Sequence, residues 1–182
     1  VEAQFFHRDP KIVARELLGM TLVRRLEGKE YRGKIVETEA YYSGDDPASR
    51  ARHGKKRYNA PMFDGAGHLF VYNVHRYWML NFTTRPVSAV LIRAVEPLNF
   101  EADTRGPGRL TVALGIDRSL NGLPLCESTG VWVEPGDSPR KLARSFRIGV
   151  TADLPEPLRF FDPESNWVSF PRKPVLIEGS KD

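Results

Sequence analysis

Residues 31–41 read YRGKIVETEAY, and just ahead of them residues 22–26 read LVRRL. Both runs are rich in β-branched, aromatic and leucine side chains, and Glu27-Gly28-Lys29-Glu30 between them is turn-forming. This is the pattern of a β-hairpin. Strands joined by so short a turn must pair antiparallel. A second pair follows downstream, Gly67–Val74 and Tyr77–Thr84, with His75-Arg76 at its tip. Ser88–Val95 is an apolar strand interrupted by Arg93, and Val131–Val133, Phe146–Val150 and Trp167–Phe170 are shorter strand-like pieces.

Helices are few. Asp9 is an N-cap type, Pro10 suits the first helical position and Gly19 suits the stop, so a short helix is expected between them, packed on the sheet. Gly106-Pro107-Gly108 opens a second helix through Leu110–Leu114. The polar, glycine-bearing segment Ser43–Gly67 reads as a long loop, of the kind that is usually functional or mobile. No internal repeat or linker divides the chain. The expectation is an α+β fold, one mixed domain over residues 1–182, with a mostly antiparallel sheet and a few short helices.

Composition narrows the function. Hydrophobic residues make up 41% of 182, enough for a packed core. No run of about 18 apolar residues offers a membrane span. The opening Val1-Glu2-Ala3-Gln4 is polar and unlike a leader, and Cys126 is the lone cysteine. A cytoplasmic protein in a reducing compartment is expected, nucleoid-associated in a bacterium or nuclear in a eukaryote. Cys126 itself reads as a small buried hydrophobe. His7, His53, His68 and His75 have no metal-ligand spacing, so no metal site is expected. The net charge is +4, with 19 arginines against 8 lysines. Arginine-rich basicity suits phosphate contacts, though only weakly.

Four stretches carry chemistry. By strand alternation, Ile35, Glu37, Glu39 and Tyr41 share one face and Val36, Thr38, Ala40 and Tyr42 the other. Two readings compete: an edge strand with a solvated acidic face, or a cleft wall where a carboxylate beside an aromatic serves as a general base. The ribbon GHLFVYNVHRYWMLNF, residues 67–82, is either an amphipathic hairpin or a wedge for a duplex. Asn81 closes it. Arg93, inside an apolar strand, must pair with Glu96 or Glu37 or open onto a cleft. GPGRL, residues 106–110, is a helix start or a weak phosphate cradle.

RGKIVETEAY, GHLFVYNV, AVLIRAVEP, GPGRL followed by ALGI, and VWVEPG together resemble the alkyladenine (3-methyladenine) DNA glycosylases, from about Phe5 to Phe170. ETEAY with the aromatic ribbon is the specific part. The resemblance implies a curved antiparallel sheet with a protruding hairpin that enters the minor groove. It implies a monofunctional, monomeric enzyme without metal or cofactor that flips a damaged purine (alkylated adenine, hypoxanthine or ethenoadenine) from double-stranded DNA and hydrolyses its N-glycosidic bond. On this resemblance Glu39 is the general base and Arg93 lies near the reacting sugar. Tyr41 and Tyr72 stack on the flipped base, and Asn81 lines the pocket. His75, beside Arg76, falls where the family has an intercalating tyrosine, on a tip one residue shorter. Arg50 stands at the family's pocket histidine, unless His53 supplies the ring. A cationic Arg50 in the pocket disfavours cationic alkylated purines; turned outward, it holds a phosphate. Two other functions are weighed: a damaged-DNA binding module with weak or no catalysis, and a glycosylase-lyase using Lys34.

Overall fold

The computed structural model describes residues 1–169 and 176–179. Their strands are β1 Thr21–Leu26, β2 Lys29–Tyr41, β3 Leu69–Val74, β4 Tyr77–Thr84, β5 Ser88–Pro97, β6 Val131–Glu134, β7 Lys141–Ser145, β8 Arg159–Phe161 and β9 Leu176–Gly179. The helices are α1 Pro10–Glu16, α2 Ala60–Phe63 and α3 Pro107–Ala113. The strands form one nine-stranded sheet in the order β3-β4-β5-β2-β8-β7-β9, with β1 on β2 and β6 on β1. Every pairing is antiparallel. The α+β architecture is therefore as the hairpin signals imply.

The length of β2 organises the sheet. Along one edge it pairs first with β1, from Lys29 to Lys34, and then with β8, from Glu37 to Glu39. Its other edge pairs with β5 from Gly33 to Tyr41. It is an interior strand, so the solvated acidic edge does not exist. Helix α1 lies on one face, where Asp9 caps it by accepting from the Lys11 N–H at 2.8 Å. Val13, Ala14 and Leu17 enter the core, and the Thr38 hydroxyl donates to the Ala14 carbonyl. Gly19 then turns with φ +90°, where a Cβ would lie 2.0 Å from the Asp137 carbonyl oxygen.

Four local expectations are corrected. First, the pairing of β2 with β5 shifts register between Ile35 and Thr38. This bulge moves Ile35 to the core face with Ala40, while Val36 packs in a separate cluster with Ala94, Ala143 and Phe161. Second, Phe146–Val150 is not a strand; β7 ends at Ser145. The Arg147 N–H is given to the Asp153 carboxylate and the Ile148 N–H to Glu39, so no ladder forms there. Third, Trp167–Ser169 is a turn, with the Ser169 N–H given to Glu37, and Phe170 lies outside the described residues. Fourth, Cys126 is half-buried at the start of a 3₁₀ turn rather than in the core, its thiol 3.1 Å from the Ser128 hydroxyl. Ser128, Thr129 and nearby backbone outweigh burial and hold that thiol below its ordinary value. The loop Ser43–Gly67 also contains α2, which a four-residue apolar stretch does not announce.

Candidate active site

Glu37, Glu39 and Tyr41 project from β2 on the face opposite α1, and Leu91 and Arg93 project beside them from β5. Both glutamates are 0% exposed. Glu37 is held by four groups. Its Oε2 accepts from Arg93 Nε at 3.0 Å, Arg159 Nε at 2.7 Å and Ser169 Oγ at 2.9 Å, and its Oε1 accepts from the Ser169 N–H at 2.7 Å. Burial pushes this carboxyl up; Arg93, Arg159 and Ser169 outweigh it and hold it below the usual carboxylate range.

Glu39 has a different shell. Its Oε1 accepts from the Tyr41 hydroxyl at 2.8 Å and from Arg93 Nη1 at 3.5 Å, and its Oε2 accepts from the Ile148 N–H at 2.6 Å. Tyr41, Arg93 and Ile148 all line one recess of about 390 Å³. Glu39 itself lies one layer behind these lining groups. Burial, with the Glu39 carboxylate next, pushes the Tyr41 phenol well above its ordinary value. The phenol therefore stays a donor to Glu39. Tyr72 and Met79 reach the same recess from β3 and β4, and Arg50 reaches it from the loop after β2.

Arginines back both tyrosines. Arg147 Cζ lies 4.5 Å from the Tyr41 ring centroid, and Arg50 Cζ lies 4.5 Å from that of Tyr72. Arg147 is fully buried and makes a two-pronged pair with Asp46 at 2.7 Å on each prong, a bond to Asp153 at 2.6 Å, and one to the Ala40 carbonyl at 2.9 Å. Asp46 also accepts from the Tyr42 and Ala48 N–H groups. One ion-pair network therefore joins the end of β2, the loop bearing Arg50, and the segment whose Ile148 amide holds Glu39.

The remaining expected residues are placed as follows. Arg93 both pairs with Glu37 and opens onto the recess, so its two readings coexist. Asn81 lies on the recess side of β4 but is buried behind the lining, its Nδ2 donating to the carbonyls of Phe70 and Met79. Arg50 lines the recess; His53 and Lys34 do not. His75 and Arg76 form the exposed two-residue turn between β3 and β4, with His75 at φ +57°. Arg93, Met79 and Pro107 continue into an adjoining cleft of about 700 Å³ that also takes in Tyr77, Arg105 and Arg109. There the Tyr77 ring lies against Gly108, where a Cβ would come within 2.8 Å of it. No group of His, Cys, Asp and Glu among the described residues could hold a metal ion, and no helix among them is long and apolar enough to cross a membrane.

Sequence reading passed over Arg147, Asp153, Arg159, Ser169 and the amide of Ile148. The arginines carried a usable signal: like Arg93, Arg147 and Arg159 sit within apolar runs, FRIGV and LRFF, where a guanidinium requires partners.

An antiparallel α+β scaffold that lines a concave recess with two tyrosines and an arginine, in front of a buried glutamate, is the form of a small-ligand or active site. The chain belongs to the methylpurine-DNA glycosylase family, whose model matches residues 4–166. A relative from Aeropyrum pernix is 39% identical over 91% of this chain and 90% of its own length. One from Rhodopirellula baltica is 38% identical over 93% and 82%, and one from Granulibacter bethesdensis is 40% identical over 91% and 85%. All three bear the name "putative 3-methyladenine DNA glycosylase". Family and relatives together support DNA glycosylase activity and a place in DNA repair.

Proposed function

We propose that this protein is a monofunctional DNA glycosylase that takes a damaged purine nucleotide, such as alkylated adenine, hypoxanthine or ethenoadenine, out of duplex DNA and hydrolyses its N-glycosidic bond. The observation that carries this reading is the state of Glu39. It lies directly behind a ring-lined recess, bonded to three groups that line it, with one acceptor position on Oε2 left over from the Ile148 amide.

In this reading a water accepted by Glu39 Oε2 gives up its proton as its oxygen bonds to C1′. The C1′–N9 bond breaks, and its electron pair leaves with the base. The deoxyribose passes through an oxocarbenium-like state, which a fixed anion below the recess stabilises. Arg93 orients Glu39 and faces the sugar-phosphate side through the adjoining cleft. Tyr41 and Tyr72 recover part of the extrusion cost by stacking, on the order of 1–3 kcal/mol per base. Asn81 supports the Phe70 and Met79 carbonyls at the pocket wall. The turn His75-Arg76 enters the duplex at the vacated position, with Arg76 toward the phosphates.

The test is release of free base from duplexes that each carry one lesion, scored by abasic sites, for the wild type and Glu39→Gln. Release by the wild type and loss in the variant are expected. A Gln variant as fast as the wild type removes Glu39 from the mechanism. Duplex binding without base release, over all lesions, would identify a binding module instead.

A further inference from the structure

We infer that Arg50 makes the recess favour purine lesions that are neutral before cleavage, such as hypoxanthine and ethenoadenine, over lesions that are cationic, such as purines alkylated at N3 or N7. The inference rests on the reading of the recess as the base pocket.

The charged residues lining the recess are Arg50, Arg52 and Arg93, with no carboxylate among them. Two nearby guanidinium charges are already balanced. Arg93 pairs with Glu37 and Glu39, and Arg147, behind Tyr41, pairs with Asp46 and Asp153. Arg50 has no carboxylate within 4.0 Å among the described residues. Its company is the Tyr72 ring, 4.5 Å from Cζ, and the hydroxyls of Tyr72 and Tyr58. Arg52, the other unbalanced charge, is exposed and donates to the Ser49 carbonyl. The half-buried, uncompensated cation of the recess is therefore Arg50.

Two consequences follow for a base stacked at Tyr72. A tyrosine face ordinarily attracts a cationic ring, but the electron-rich ring of Tyr72 already carries Arg50. A cationic purine must then share it with a like charge, in surroundings of reduced dielectric. The leaving step reverses the advantage for a neutral purine. When its C1′–N9 bond breaks, the electron pair makes the departing base an anion, later protonated from solvent, and Arg50 stabilises that developing charge. A cationic purine leaves as a neutral molecule and gains nothing from Arg50.

The experiment compares single-turnover release of hypoxanthine, ethenoadenine and 7-methylguanine from one duplex sequence, for the wild type, Arg50→Lys, Arg50→Gln and Arg50→His. In Arg50→Gln the neutral-to-cationic rate ratio is expected to fall about tenfold or more, chiefly through slower release of neutral bases. Arg50→Lys should stay near the wild-type ratio. Arg50→His makes the charge titratable and serves if the Gln variant does not fold. Relative to the wild type at the same pH, its ratio should be higher at pH 6 than at pH 8. An unchanged ratio in Arg50→Gln, or a pH-independent one in Arg50→His, overturns the inference while leaving glycosylase activity intact. A wild type that releases no base removes the pocket reading and the inference with it.

Discussion

Glu37 and Glu39 stand two residues apart on the same face of β2, and both are fully buried. Residue type, strand position and burial do not separate them, whereas their partners do. Glu37 accepts four hydrogen bonds from two arginines and Ser169, three of them on Oε2, and pairs with both guanidinium groups at 3.0 Å or less. Glu39 accepts three, the longest at 3.5 Å, all from groups that line the recess. The acid held closely by two arginines ties β2, β5, β8 and the Ser169 turn together. The other, with one long arginine contact, lies directly behind the recess lining. The comparison teaches that in a charged layer the candidate base is the carboxylate whose hydrogen-bond partners all line the cavity.

The largest expected effect comes from breaking this distinction at Glu39. Glutamine preserves shape, and with its one oxygen on the Ile148 N–H it keeps that contact, but it cannot accept the water proton. Base release should fall by roughly 10²–10⁴-fold, as for loss of a general base. Thermal stability should change far less, because the Tyr41 hydroxyl can accept from the amide nitrogen that replaces Oε1. Calorimetry beside single-turnover kinetics separates the two readouts.

Glu37→Gln should show the reverse weighting. It leaves Arg93 and Arg159 facing a neutral amide in the interior, and removing one member of a buried ion pair costs about 3–5 kcal/mol. Denaturant unfolding measures this directly. The pH dependence follows from the lowered Glu37 carboxyl. A group whose folded pKa is depressed supplies stability that is fully present above its unfolded value, about 4.3, and lost as pH falls through its folded value. The gap in unfolding midpoint between wild type and Glu37→Gln should therefore be constant near neutrality and shrink below about pH 4. A gap that persists in acid would mean that Glu37 acts by packing rather than by charge.

What was legible before the structure follows the same division. Strand pairing was readable because the hairpin signals are local: turn residues and alternating apolar side chains sit within a few positions of one another. The pairing of β1 with β2 and of β3 with β4, and the helix capped by Asp9, all come from such signals. Glu39, Tyr41, Tyr72 and Arg93 could be singled out as unusual residues in otherwise apolar or aromatic strands. Their convergence on one recess could not, because it depends on pairings across more than 50 residues. The bulge at Val36 was invisible for a related reason. It arises between β2 and β5, and a single strand carries no mark of it. Arg147 lies further still, 101 residues from the Asp46 it grips, and its effect on Glu39 passes through a neighbouring backbone amide that no side chain reveals.

A smaller effect is expected at the recess wall. Tyr72→Ala removes one stacking face and frees Arg50 from its cation–π contact. Affinity for a lesion duplex should weaken by about 1–3 kcal/mol, and affinity for undamaged duplex should barely move. Equal losses on both duplexes would place Tyr72 outside the base pocket.

The smallest effect is expected farthest from the charged layer, at the β3–β4 turn, where neither residue has the partners that define Glu37 and Glu39. His75 and Arg76 are exposed, and Arg76 forms no ion pair within 4.0 Å among the described residues. A phosphate contact by Arg76 is electrostatic and independent of sequence. Arg76→Ala should then weaken binding by a similar factor on damaged and undamaged duplexes, and reduce the dependence of log K on log salt by about one ion. His75→Ala, if His75 fills the vacated stack, should leave that salt slope unchanged and slow only lesion release. The two substitutions thus separate a phosphate anchor from a wedge on adjacent residues, as Glu37 and Glu39 separate a structural acid from a base on alternate ones. Identical salt slopes for wild type and Arg76→Ala would show that the turn does not meet the backbone, and the duplex would then have to be held from the Arg105 and Arg109 side of the adjoining cleft.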